Sequence, residues 1–152
     1  MEQQNKYFVF ILDGQHYAMD VSTVEKVIHT VELIYLPDPA EFLLGLINMG
    51  GKVVPVANIR KKFNLPDREM NLDDRIIISQ TTTRKIAFIV DKVEGIVEFS
   101  KGQVDEVHKI FPEMESYLEG LERFNDNTVL IITIDKLFST RNITRLKKAI
   151  KE

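Results

Sequence analysis

The chain has 152 residues, 44% of them apolar and 28% charged, enough for one folded domain with a real core. A net charge of -3 argues against non-specific nucleic-acid binding, which needs clustered basic charge. With no cysteine there are no disulfides and no thiolate zinc sites, and no apolar run reaches the roughly 18 residues of a membrane span.

The N-terminus, MEQQNKY, is polar and lacks a signal-peptide core, so a cytoplasmic protein without direct membrane insertion is expected. Strand patterns dominate the rest of the chain. Tyr7 to Leu12 and His16 to Asp20 flank Asp13-Gly14, a strong hairpin turn signal. Ser22 is placed to cap a short turn before Val24, Val27, Ile28 and Val31, and Pro37 and Pro39 break the chain. Phe42 to Ile47 and Val53 to Ala57 read as a hairpin around Asn48, Met49, Gly50 and Gly51, where adjacent glycines give access to positive φ. Asn58 is a good helix N-cap, with Arg60, Lys61 and Lys62 behind it and Pro66 ending the element. Pro66 to Asp74 is polar and loop-like. Arg75 to Ser79 and Lys85 to Val90 form another hairpin around Thr81, Thr82 and Thr83, and Ile96 to Phe99 continues as strand. Residues 101–116 are mixed and polar. Tyr117 to Phe124 and Thr128 to Thr133 make a last hairpin, and Leu137, Phe138, Ile143, Leu146 and Ile150 give a helical stripe starting at Asp135.

A weak repeat runs through this order. In each half an apolar hairpin ends in an Asp before a Val-Glu pair: Asp20 with Val24-Glu25, then Asp91 with Val93-Glu94. A Gly-Leu, a hairpin and a helix-capping residue come next, from Gly45-Leu46 to Asn58 and from Gly120-Leu121 to Asp135. Two related β subdomains that hide their edges by closure would explain it.

Chemistry is thin. His16, His29 and His108 lie far apart with no i, i+4 partner of metal-ligand type, and read as surface or strand residues. Asp73-Asp74 and Glu113/Glu115 are carboxylate pairs, but acid–base work needs a partly desolvated cleft, and both read as solvated loop charge. No nucleophile elbow occurs, and Gly50-Gly51-Lys52 lacks the remaining parts of a phosphate loop. No catalytic residue, metal or cofactor is expected. The basic residues Arg60, Lys61 and Lys62, with Arg141, Arg145, Lys147, Lys148 and Lys151, read as cations on solvated helix faces rather than a membrane patch. Tyr7, Phe8 and Phe10 resemble a base-stacking platform, but Phe8 and Phe10 share one strand face, as a core requires.

Residues 45–63, GLINMGGKVVPVANIRKKF, resemble the central signature of CheW-like domains, the adaptors of bacterial chemotaxis arrays. Gly45, Asn48, Gly51, Pro55 and Arg60 match. Gly50 stands where that family usually has arginine, and Asn58 where it usually has aspartate. The resemblance runs from about Tyr7 to Phe138. It implies a mainly β fold of two SH3-like five-stranded barrel subdomains packed together, with short helices near residues 21–25 and 58–63 and a C-terminal helix. Residues 1–152 would form one domain of two interleaved subdomains that exchange strands. It further implies a non-enzymatic adaptor at receptor arrays, coupling the cytoplasmic tip of chemoreceptors to the regulatory domain of a CheA-type histidine kinase. The alternative is a CheW-like scaffold in another histidine-kinase pathway, or a module of a larger coupling protein. A first strand near the start and a basic terminal segment favour a stand-alone protein. Partner-binding positions carried over are Val24, Lys26, Gly45, Asn48, Gly50 and Gly51. The family's glutamate is Lys26 here, beside Glu25, and its arginine is Gly50, so the two departures are expected to be linked and to alter partner identity or affinity.

Overall fold

The computed structural model describes residues 4–38, 42–100, 105–106 and 117–138. The order is β1 (Gln4–Leu12), β2 (Gln15–Asp20), a 3₁₀ turn (Val21–Thr23), β3 (Val24–His29), β4 (Leu43–Met49), β5 (Lys52–Ala57) and α1 (Ile59–Lys62). It continues with β6 (Arg75–Gln80), β7 (Lys85–Val90), β8 (Lys92–Ser100), β9 (Asp105–Glu106), β10 (Leu118–Phe124), β11 (Asn127–Ile132) and α2 (Ile134–Leu137). The fold is mainly β, as the short apolar runs between turn signals predict.

Three hairpins close through two residues, because their turn residues accept positive φ. Asp13 and Gly14 sit at φ 50° and 80°, Gly50 and Gly51 at 61° and 90°, Asn125 and Asp126 at 49° and 65°. Two successive positive φ values match the right-handed twist of the flanking strands. At the short 3₁₀ turn the structure corrects the expectation: Asp20, not Ser22, is the cap. Its Oδ1 accepts from the Ser22 amide at 2.9 Å and from the Ser22 hydroxyl at 2.8 Å.

The strands assemble into two sheets, in the orders β8-β1-β2-β11-β10-β9 and β3-β6-β7-β5-β4. The first, sheet I, pairs the opening hairpin with strands from the second half of the chain. The second, sheet II, pairs the β6–β7 hairpin with strands from the first half. Each junction is parallel, β2 with β11 and β7 with β5.

One apolar cluster lies between the sheets, with Phe8, Phe10, Tyr17 and Met19 from sheet I meeting Ile77, Ile86, Phe88 and Val90 from sheet II. Alternate residues face the other way. Ile76, Ile78, Val54 and Val56 form a second cluster with Leu33, while Tyr7, Val9, Val129 and Ile131 form a third. Sheets buried on both faces carry continuous rather than alternating apolar sequence, which is why Ile76-Ile77-Ile78 reads as an unbroken run. Phe10 and Phe88 are fully buried, with ring centroids 5.7 Å apart. The N-terminal aromatics are therefore core, not a stacking platform.

Both halves break register at the same place: between Leu43 and Gly45 where β4 meets β5, and between Leu118 and Gly120 where β10 meets β11. A helix comes after each hairpin. For α1 the cap is Asn58, whose Oδ1 accepts from the Lys61 amide at 3.1 Å. For α2 the cap is Thr133, with no side-chain bond, and the helix begins at Ile134 rather than at Asp135. The rest of the expected terminal stripe, Ile143, Leu146 and Ile150, lies outside the described residues, as do the tail cations, His108, Glu113 and Glu115.

Candidate functional site

Four of the six singled-out positions meet in the β4–β5 hairpin. Gly45 is buried on β4, and a Cβ there would stand 2.9 Å from the backbone oxygen of Ile34. That approach has a cause: Ile34 bridges to Leu46 through reciprocal backbone bonds of 2.7 and 2.8 Å. Asn48 ties the turn, its Oδ1 accepting from the Gly51 amide at 2.8 Å. Gly50 and Gly51 are exposed, and a Cβ at either would have nothing within 4 Å. Positive φ, which the adjacent glycines make accessible, occurs at both Gly50 and Gly51. Val24 and Lys26 are on β3, at the other end of the strand order from β4, and the segment after β3 returns to β4 through the Ile34–Leu46 bridge. Val24 is half-buried against the central core, and Lys26 is exposed. Neighbouring Glu25 is engaged elsewhere, 2.8 Å from Lys85 Nζ.

The strongest polar constellation is not visible in the sequence as a unit. Asp91, at the β7–β8 junction, accepts from Arg60 Nη2 at 2.8 Å, from Arg68 Nη2 at 2.6 Å and from the Asp13 amide at 2.8 Å. Arg60 also donates to the Pro66 carbonyl at 3.1 Å and lies 3.8 Å from Asp13 Oδ1. Arg68 also donates to Asp74 Oδ1 at 2.8 Å. Burial pushes the Asp91 carboxyl up, but the Asp13 amide and the two guanidiniums outweigh it and hold it below its ordinary value. The bonds to Asp74 and Asp91 hold Arg68 above the usual guanidinium value.

Two sequence readings are thereby corrected. The Arg60 side chain is only 11% exposed, so it is not a solvated-face cation; a buried guanidinium needs carboxylate partners. Asp74 is 3% exposed, so it is not solvated loop charge; Arg68 and the Asn71 amide, 2.8 Å from its Oδ2, compensate it. The signal available in the sequence is the pairing of Arg68 with Asp74 inside a stretch that otherwise reads as merely polar.

These groups hold loops together: both carboxylate oxygens of Asp91 and of Asp74 accept from a guanidinium or a backbone amide. Among the described residues no group of three or more His, Asp or Glu is placed to hold a metal ion, and no helix is long and apolar enough to cross a membrane. His16 lies 3.8 Å from Glu94, an isolated contact.

The family model described as "CheW-like domain" matches residues 6–142. The chain is 27% identical over 128 residues to "Chemotaxis protein CheW" of Thermotoga maritima, covering 84% of this chain and 83% of that one. It is 30% identical over 124 residues to the protein of the same name from Bacillus subtilis, covering 82% and 73%. The crystal structure of the scaffolding protein TtCheW from Thermoanaerobacter tengcongensis superposes with a TM-score of 0.79 at 28% identity, over 92% of this chain and 96% of that one.

Proposed function

The chain belongs to the CheW-like domain family, a family of non-catalytic scaffold proteins, and on that premise we propose that it couples chemoreceptors to a CheA-type histidine kinase in the cytoplasm, at receptor arrays. The observation that carries this reading is the match to a scaffolding protein over nearly the full length of both chains. The local structure supports it. Two sheets locked through one core and one ion-pair network make a stiff body, which is what holding two partners in fixed geometry requires. We assign partner binding to the β3 segment that carries Val24 and Lys26 and to the β4–β5 hairpin built by Gly45, Asn48, Gly50 and Gly51. Gly45 and Asn48 shape the hairpin, whereas Gly50 and Lys26 present surface. With glycine at 50 and lysine at 26, the surface is smaller at one position and basic at the other than the family pattern, which shifts affinity among receptors.

A pull-down with the full chain as bait tests this reading. Co-capture of a CheA-type regulatory domain and of a receptor cytoplasmic hairpin is the expected result. Capture of the kinase domain alone would move the chain to another kinase pathway. Capture of neither would remove the proposal.

A further inference from the structure

A cavity of about 440 Å³ opens between the segment after β3 and the loop before β6. Its lining combines apolar Leu33, Leu44, Met70 and Ile89 with the charged groups of Arg60, Asp74, Asp67, Arg68 and Glu69. Its volume lies within the range of sites that take one ligand or an inserted side chain. The surface around it is unusual in two respects.

Large exposed apolar side chains concentrate here. Of the six among the described residues, Val31, Ile34, Tyr35 and Leu72 belong to the two segments that flank the cavity, with Tyr35 66% and Leu72 88% exposed. Single exposed apolar residues are ordinary, but several in the segments bordering one cavity fit an interaction surface; of the four, Tyr35 lines the cavity itself. The charge is also unbalanced. Arg60 and Arg68 are consumed by Asp91, Asp74 and Asp13. Asp67 and Glu69 are exposed, and their carboxylates make no hydrogen bond or ion pair among the described residues. Apolar lining residues beside an exposed tyrosine and two exposed, unpaired carboxylates are complementary to an apolar side chain adjoining a cation.

We infer that this face docks a segment of a protein partner in which an apolar residue enters the cavity while a neighbouring Lys or Arg meets Asp67 and Glu69. This is a surface separate from the β4–β5 turn, and it stands whichever kinase pathway the protein serves. Aromatic and apolar anchors supply affinity at such a face, while rim charges supply discrimination and salt dependence.

The test is an NMR titration of the full-length protein with two probes, acetyl-Leu-Arg-amide and acetyl-Leu-Glu-amide. The first is expected to give saturable shifts at Leu33, Tyr35, Met70 and Ile89, weakened by salt, and the second to bind at least about threefold more weakly. The double variant Asp67→Lys with Glu69→Lys, which alters only exposed unpaired groups, should reverse the preference. Tyr35→Ala should weaken both probes. Equal shifts from both probes, saturable shifts confined to another face, or no shift at millimolar peptide would overturn the inference. Concentration-dependent shifts at the same residues without peptide would assign the face to a second copy of the chain, and would also overturn it.

Discussion

Single residues decide two properties of this molecule. Asp91 accepts from two guanidiniums and one amide, so removing its charge takes from the largely buried Arg60 its nearest counter-charge. Asp91→Asn is expected to cost about 1–3 kcal/mol, and Arg60→Lys a comparable amount, because an ammonium cannot span Asp91 and the Pro66 carbonyl as a planar fork does. Urea denaturation at neutral pH measures both. The pH dependence has a defined sign. The folded carboxyl titrates below the unfolded one, so its contribution is complete above about pH 4 and is lost as pH falls through the folded value. The stability gap between wild type and Asp91→Asn should therefore close on acidification below about pH 4; a gap that widens there contradicts the assignment. At the hairpin turn, φ is 61° at Gly50 and 90° at Gly51. The first value lies in the left-handed well that Asn64 occupies at 61°, whereas the second lies outside it. Gly51→Ala should thus lower stability by roughly 1 kcal/mol or more, and Gly50→Asn should be nearly neutral. A larger melting-temperature loss for Gly50→Asn would refute that ordering. Gly45→Ala is expected to be worse than either, since its methyl would meet backbone at 2.9 Å.

Among the elements, hairpins are the most legible from sequence, because Asp-Gly, Gly-Gly and Asn-Asp turns specify their own backbone. Asn58 is legible as a cap for the same local reason, and Asn58→Ala should cost about 1 kcal/mol while Asn58→Asp, the family's usual residue, restores it. Thermal melts of both variants check this. The start of the second helix is misleading in sequence because Thr133 stays in extended backbone and makes no capping bond, which leaves Asp135 looking like the better cap. Its carboxylate instead accepts from the Thr82 amide at 2.7 Å, in the β6–β7 turn. That bond has a counterpart. Arg60 in α1 reaches Asp13 in the β1–β2 turn, so each helix succeeds a strand of one sheet and fastens onto a hairpin turn of the other. Local sequence shows that a residue is polar; it does not show which distant turn it will meet.

For the molecule as a whole, the repeat is visible in the sequence, but its geometric meaning requires the strand order. Each half contributes a hairpin to the sheet formed mostly by the other half, and the central cluster draws on both. Neither half holds a complete sheet. Chains of residues 1–72 and 73–152 produced separately should show no cooperative unfolding by circular dichroism, whereas an independent transition in either would mean that the exchanged hairpins are dispensable. The same shared core makes Phe88→Ala costly, about 3–5 kcal/mol, and should shift a single transition rather than split it. A stiff two-sheet scaffold is useful only if it binds. Isothermal calorimetry with the regulatory domain of the cognate CheA-type kinase is the most direct measurement of that role. Saturable binding in the micromolar range or tighter, with no chemical turnover, is the expected result. An absence of heat with both proteins at high micromolar concentration, confirmed at a second temperature, would contradict it.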